Sequence, residues 1–350
     1  MARAYTSEAT YREDGDEPPR GFWSRWSGRL PGGGSPGRWG PGTWRRGLVL
    51  AAVALLLGLA FFLHAEVPNA VGNLGSLWET FLPWGGLLIV VLLVAAVLRR
   101  SATALVALLV PALMWVNLFG GLFSDKTGGG AGDLTVVTHN VNAGNPDPRG
   151  TAEALVDSGA DVIALQEVSS SQAGSYRSAL DRTHPYHKLA GTVGIWSKYP
   201  LSDARTVDIK MGWPRAMRAT VRTPKGEVAV YAAHLPSVRV QFRSGFTAGQ
   251  RDGSAQALGE AIAHDPADKV LLLGDLNGTM NDRALAPITS QMRSAQGAAG
   301  DGFGFSWPAS FPMARIDQIM LKGADPVSAW TLPATDSDHL PIAAKIDLAD

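Results

Sequence analysis

The chain of 350 residues contains no cysteine, so it has no thiol to oxidise and no disulfide framework, which suits an exposed extracellular setting without requiring one. It also lacks net charge, since 31 Lys and Arg balance 31 Asp and Glu. Residues 131 to 350 carry 20 Lys and Arg against 23 Asp and Glu, a slight acidic excess. A nucleic-acid binder generally needs a basic footprint to neutralise phosphates, so no nucleic-acid partner is expected. No internal repeat is visible.

Charge is also missing from three stretches of the first third: residues 48 to 63, 80 to 98 and 101 to 122. Each approaches the roughly 20 residues a helix needs to cross a bilayer, the first being the shortest. Buried core helices are the alternative, but three neighbouring uncharged runs are hard to place inside one small core. A cleaved signal peptide fits poorly, because the first run follows a tail of 46 residues and two more runs follow it. The chain is therefore expected to be a multi-pass protein of the cell membrane, with three transmembrane helices over 47 to 123. Arg45 and Arg46 flank the first run and Arg99 and Arg100 join the second to the third, whereas the loop from His64 to Glu79 has no Lys or Arg. These positions predict a cytoplasmic N-terminus and an extracytoplasmic location for everything after Phe123.

Residues 1 to 46 are rich in Gly, Pro, Arg and Ser and read as a disordered cytoplasmic tail. Its eight arginines could touch the anionic inner leaflet or simply set topology. Residues 124 to 132 include Gly-Gly-Gly-Ala-Gly and read as a flexible tether.

The remainder, 133 to 350, is long enough for one domain with its own core. Apolar, β-branched runs predict strands at Leu134 to Thr138, Val162 to Leu165, Thr192 to Ser197, Ala216 to Arg222, Val228 to Ala233, Val270 to Leu273, Ile316 to Leu321 and Ile342 to Ile346. Helical patterns lie at Arg149 to Ser158, Ser171 to Leu180, Gln250 to His264 and Asn281 to Ala286. Hairpin-like pairs mixed with helical crossovers predict two packed sheets with helices outside, an α/β sandwich.

Polar motifs sit mostly where these strands end: Thr138-His139-Asn140-Val141-Asn142, Gln166-Glu167, His234-Leu235, Gly274-Asp275-Leu276-Asn277 and Ser337-Asp338-His339. Strand ends are where distant parts of a chain assemble a site, and carboxylates, amides and imidazoles together suggest metal-assisted attack of water on phosphorus. With Gly194 to Pro200 and Arg315 to Ile319, these motifs in this order resemble the endonuclease/exonuclease/phosphatase superfamily of magnesium-dependent phosphoesterases over essentially all of 133 to 350. That resemblance implies a four-layer α/β sandwich of two mixed sheets flanked by helices, and Mg²⁺ as cofactor with Mn²⁺ as a possible substitute.

On these positions, Glu167 is the expected metal ligand, with Asn142 and Asp338 beside it or bonded through water, because Mg²⁺ takes oxygen ligands and keeps several waters. Asp275 would orient or deprotonate the attacking water, and Asn277 would donate to a phosphoryl oxygen. His339 paired to Asp317 could be base or donor, His234 would contact phosphate or protonate the leaving group, and Asn140 would support the phosphate. In isolation, Asp275 and Asn277 could equally be turn residues and Asp338-His339 a loop. His139 alternates to the opposite strand face and is assigned to packing or a local hydrogen bond, and His184 and His187 to a solvated loop.

The superfamily includes nucleases, inositol-phosphate and lipid phosphatases, and sphingomyelinases, so fold does not name a substrate. Asn142 stands where many DNA-repair members carry Asp, and the Asn-x-Asn form is more like the phosphatase branches. Three spans followed by this domain resemble the VanJ-type membrane phosphatases linked to glycopeptide resistance, which would imply undecaprenyl pyrophosphate in the membrane as the phosphorylated lipid substrate. A surface-anchored nuclease and a non-catalytic binding domain remain the alternatives.

Overall fold

The computed structural model describes residues 46–69, 74–237, 239–241, 245–247 and 249–348. The tail expected to be disordered lies outside the described residues up to position 45. Helices come first: α1 (Leu48–Phe62), α2 (Leu74–Phe81), α3 (Gly85–Leu98), α4 (Ala102–Ala107) and α5 (Leu109–Phe119). A 3₁₀ turn at Leu82–Trp84 joins α2 to α3, so that Leu74–Leu98 forms one apolar segment of 25 residues. Ala102–Phe123 forms a second of 22 residues. Both are long and apolar enough to cross a membrane, and in their most apolar windows only 17% and 22% of residues are buried, unlike a core helix. At 15 residues α1 falls short of that length, spanning roughly 22 Å at 1.5 Å per residue.

The rest of the chain adds β1 (Leu134–Asn140), α6 (Pro148–Asp157), β2 (Val162–Gln166), α7 (Ala173–Leu180), β3 (Tyr186–Ala190), β4 (Val193–Ser197), β5 (Leu201–Thr206), β6 (Ala216–Thr223) and β7 (Gly226–His234). Then follow β8 (Arg239–Gln241), β9 (Gly245–Thr247), α8 (Gly249–Ala263), β10 (Val270–Asp275), α9 (Ala286–Thr289), β11 (Arg293–Ser294), α10 (Ala295–Ala299), β12 (Asp317–Lys322), β13 (Asp325–Thr331) and β14 (Ile342–Asp347). Two six-stranded mixed sheets result, in the orders β13-β14-β1-β2-β4-β3 and β11-β12-β10-β7-β6-β5.

Alternation along the strands places one set of side chains between the sheets and the other against helices. Leu134, Val136, Val162 and Ala164 meet Val228, Val230, Leu271 and Leu273 in the central layer. Val137, Ile163 and Leu165 pack outward on Ala152 and Leu155 of α6 and Tyr176 and Leu180 of α7. On the other side Ala229, Tyr231 and Leu272 pack on Leu258 and Ile262 of α8. Central strands covered on both faces must be apolar almost throughout, which is why their sequences read as unbroken runs. All eight expected strands are present.

Six strands went unrecognised in the sequence: β3, β5, β11 and β13, each an edge strand of a six-stranded sheet, and the short pair β8 and β9. The helix expected from Asn281 is instead a 3₁₀ turn, Arg283–Leu285, running into α9, because the Asp282 carboxylate caps it by accepting from Ala284 N at 3.0 Å. His184 is fully buried rather than solvated, its ring bonded to Ala160 O and Thr183 Oγ1, both at 2.9 Å. His187 is a half-buried residue of β3 beside Asp181 at 3.0 Å. Residues 124 to 132 lack regular structure, but Gly128 N donates to Val327 O and Lys126 Nζ to Gly297 O, each at 2.6 Å, which pins this segment along the domain.

The apolar helices pack directly on the sandwich. The buried Glu79 side chain on α2 is 3.2 Å from Arg283 Nε, and Trp84 Nε1 donates to Met313 O at 2.8 Å.

Candidate active site

The ladder registers bring the polar motifs to one end of the sandwich. In the second sheet Asp275, the last residue of β10, is opposite His234 at the end of parallel β7 and Asp317 at the start of antiparallel β12. In the first sheet β1 and β2 run parallel with Asn140 opposite Gln166, and β14, which follows His339, runs antiparallel to β1. The C-terminal ends of four strands and the entries to two others therefore share one rim. Gly274 permits the close approach of β10 to β7 there, because a Cβ at this position would collide with the Ala233 carbonyl.

Directly after these strands the backbone turns sharply. Asn142, Glu167 and Asn277 have φ of 60°, 61° and 45°. Asn tolerates the left-handed region, but Glu rarely occupies it, and such strain characteristically collects at functional sites. The turn at Glu167 is held by its own side chain, whose Oε2 accepts from Ala143 N at 3.0 Å.

Asn140 ties the two sheets together. Its Nδ2 donates to Glu167 Oε1 at 3.2 Å and to Asp275 Oδ2 at 3.0 Å, while its Oδ1 accepts from Asn142 N at 3.1 Å. Asp275 also accepts from Asn277, at Oδ1 from the backbone N–H (2.9 Å) and at Oδ2 from the side-chain amide (3.2 Å). That amide also donates to Leu235 O at 3.0 Å, so both of its hydrogens are engaged within the protein. The geometry makes Asn277 a holder of Asp275, not the free donor to phosphate expected from its motif.

His339 Nδ1 lies 2.8 Å from Asp317 Oδ2, and the same oxygen accepts from Ser306 Oγ at 2.6 Å. The other ring nitrogen, Nε2, points toward Asp275 Oδ2 at 3.9 Å. Burial works against charge on His339, but the carboxylates of Asp317 and Asp275 outweigh it and push its pKa up to about 10. Burial is also the main reason that Asp275 is pushed up to about 7, with the neighbouring Asp317 adding to it against the pull of His339. His234 behaves oppositely. Burial first, then the Arg215 and His339 charges, hold its pKa well below the ordinary value, leaving a neutral imidazole whose Nε2 is 3.7 Å from Glu167 Oε1 and 3.6 Å from Asp275 Oδ2.

Asp338 is exposed at the rim and accepts from Asn142 Nδ2 at 3.1 Å. His139 is on the other face of β1, bonded to Thr335 Oγ1 at 2.9 Å, and is kept neutral by burial with a pKa of about 3. Every residue singled out from the motifs except His139 thus meets at this rim.

Sequence reasoning missed three supporting residues. Ser306 orients Asp317, Ser337 Oγ donates to Asn140 O at 2.7 Å, and fully buried Arg251 holds the turn at Asn277 by donating from Nη1 to its carbonyl at 2.8 Å. Arg251 is itself paired with buried Asp282 at 2.5 Å. Only Ser337, inside a motif, carried any signal.

The sequence profile of the Endonuclease/Exonuclease/phosphatase family matches residues 137–339, which encloses the whole rim. The chain belongs to this family. Members of the endonuclease/exonuclease/phosphatase family are typically hydrolases of phosphate esters, commonly with a divalent metal. No curated protein matches the chain by sequence.

Solved structures share the fold at low identity. A conserved protein of unknown function from Enterococcus faecalis V583 is 16% identical, with a TM-score of 0.52, covering 61% of this chain and 99% of its own. A Bacteroides vulgatus endonuclease/exonuclease/phosphatase protein is 18% identical with a TM-score of 0.52, covering 62% and 99%. The humanized D. rerio TDP2 with 14 mutations is 16% identical with a TM-score of 0.52, covering 61% and 98%.

A divalent cation fits the acidic rim of this family member. Asp275, Asp317 and His339 offer donor atoms all within 4.8 Å of one another. The short contact between His339 and Asp317 is a hydrogen bond, however, which engages Nδ1 and favours an imidazolium. Glu167 is better placed, because each of its oxygens retains a free lone pair and the imidazole of His234, 3.7 Å from Oε1, is neutral and does not compete with a cation for its charge.

Proposed function

We propose that this protein is a membrane-anchored, Mg²⁺-dependent phosphatase whose site faces outside the cytoplasm and removes the terminal phosphate of a polyprenyl pyrophosphate. Glu167, with Asn142 and Asp338, would hold the cation, which supplies polarisation of a phosphoryl oxygen. Asp275 takes a proton from the attacking water, for which a pKa of about 7 is well matched. The new P–O bond forms at the terminal phosphorus as the bond to the bridging oxygen breaks. The electron pair leaves on the lipid monophosphate, and inorganic phosphate is released. Protonated His339, oriented by Asp317, donates from Nε2 to a phosphoryl oxygen as charge accumulates there. Asn140 and Asn277 keep Asp275 aimed, and neutral His234 presents an uncharged imidazole for hydrogen bonding at the same rim.

The observation that carries the membrane half of this reading is the packing of two apolar segments on the domain that bears the site. Counting α1 as a third span puts the N-terminus in the cytoplasm and residues after 123 outside. Its shortness is offset by exposed Arg46, whose long side chain can reach the headgroups. Its small-residue contacts also suit a membrane bundle, since Ala51 and Ala54 are buried with Ala96 and Ala104. The deciding experiment sets Mg²⁺-dependent phosphate release from a polyprenyl pyrophosphate beside plasmid nicking by the same full-length preparation. Release without nicking is expected, and nicking without release would replace this reading with a surface nuclease.

A further inference from the structure

At the junction between the apolar helices and the sandwich lies a cleft of about 510 Å³, lined by the start of α3, by one face of α5 and by the loop carrying Phe303 and Phe305. That volume is typical of a small-molecule site. Its walls are hydrocarbon and aromatic ring. The two indoles beside it present no free N–H, because Trp84 Nε1 donates to Met313 O at 2.8 Å and Trp115 Nε1 to Pro83 O at 2.9 Å. Gly86 gives Trp115 its place, since a Cβ there would lie 2.8 Å from the ring. The aromatic wall is continuous across the junction: Trp84 stacks on Phe305 with centroids 6.0 Å apart, and Phe305 on Phe303 at 5.1 Å.

The cleft is also tied to the chemistry. Phe305 precedes Ser306, whose hydroxyl donates to the carboxylate that orients His339. The loop is fastened to the His339 segment by the backbone, with Leu340 N donating to Ser306 O and Ala309 N to Asp338 O, each at 2.7 Å. A phosphorylated head at the rim and an apolar chain in the cleft would therefore be held by one loop.

We propose that this cleft binds the hydrocarbon chain of the polyprenyl pyrophosphate substrate, so that chain and headgroup are recognised by the same molecule. A water-soluble phosphoester would leave these aromatic walls unmatched, whereas burial of a chain uses them. The inference rests on the lipid reading above and adds a specificity site to it.

The test uses the full-length protein in mixed micelles, with a long-chain prenyl diphosphate and a water-soluble short-chain one. Ala112→Phe fills the cleft from α5, and Val90→Trp narrows its exposed lip from α3. Each should raise KM for the long-chain substrate by about tenfold and leave kcat/KM for the short one within about twofold. In parallel, a long-chain alkyl phosphate bearing a diazirine at its tail should label peptides containing Trp115 or Phe303, and Ala112→Phe should suppress that labelling. Unchanged KM for the long chain, equal losses on both substrates in both variants, or labelling confined to other helix faces would overturn the cleft. A wild-type protein that hydrolyses neither diphosphate would instead sink the phosphatase reading, and the labelling would still decide the cleft.

Discussion

Arg283, on the turn that follows the Asp275-Leu276-Asn277 loop, holds Glu79 of the second apolar helix at 3.2 Å, and Glu79 is entirely buried. The same guanidinium donates to the carbonyls of Ala65 and Val67, so one side chain fastens the helices to the domain. Its neighbour Asp282 pairs with Arg251, which supports Asn277.

Removing that fastening should loosen the junction more than it harms the chemistry. Arg283→Ala leaves a buried carboxylate without its partner, a loss of about 1–3 kcal/mol. Thermal unfolding in detergent should show it, together with faster proteolysis at residues 124 to 132. An unchanged melting temperature and cleavage rate would refute the role.

The Asp317–His339 pair sets two measurable outcomes. His339→Ala should lower kcat on the order of a hundredfold or more. Asp317→Asn should cost less, but it should move the alkaline limb of the kcat profile to lower pH, because the carboxylate that keeps His339 charged is gone. A profile that does not move would mean that His339 is not acting as a protonated donor.

Stability should follow the same pair. The folded-state pKa of His339 is raised from 6.5 to about 10, so its contribution is complete below pH 6.5 and disappears as pH rises through 10. Metal-free wild-type protein should lose stability across that window, and His339→Gln should flatten the slope. The raised pKa of Asp275 acts at lower pH, between 3.8 and about 7, which separates the two effects. An identical slope in wild type and variant would overturn the assignment.

Glu167→Gln keeps shape but removes the charge that would offset a cation. The Mg²⁺ concentration needed for half-maximal activity should rise at least tenfold, with partial rescue by excess Mg²⁺. Unaltered Mg²⁺ dependence would place the ligand elsewhere.

Topology can be read directly. A reporter fused at Gly129 should be external and one at Arg99 cytoplasmic, as the arginine pairs at 45 to 46 and 99 to 100 require. A cytoplasmic Gly129 reporter would put the site on the wrong leaflet for an external lipid.

The central strands and most of the site motifs were legible in the sequence, because strands such as β1, β2, β7 and β10 are covered on both faces and must be apolar nearly throughout. The edge strands were not, since β5 has four exposed residues in succession and β13 starts with an exposed Asp325, leaving no unbroken apolar run to read. Motif spacing likewise named Glu167, Asp275 and His339, because short-range chemistry stays local in the chain. What only the tertiary structure decided was how those groups are charged and held. The carboxylates of Asp317 and Asp275, brought from β12 and β10, outweigh burial and push the His339 pKa up, whereas burial above all holds that of His234 down. Arg251 and the aromatic loop at Phe303 act through contacts between segments far apart in sequence, which no local pattern encodes.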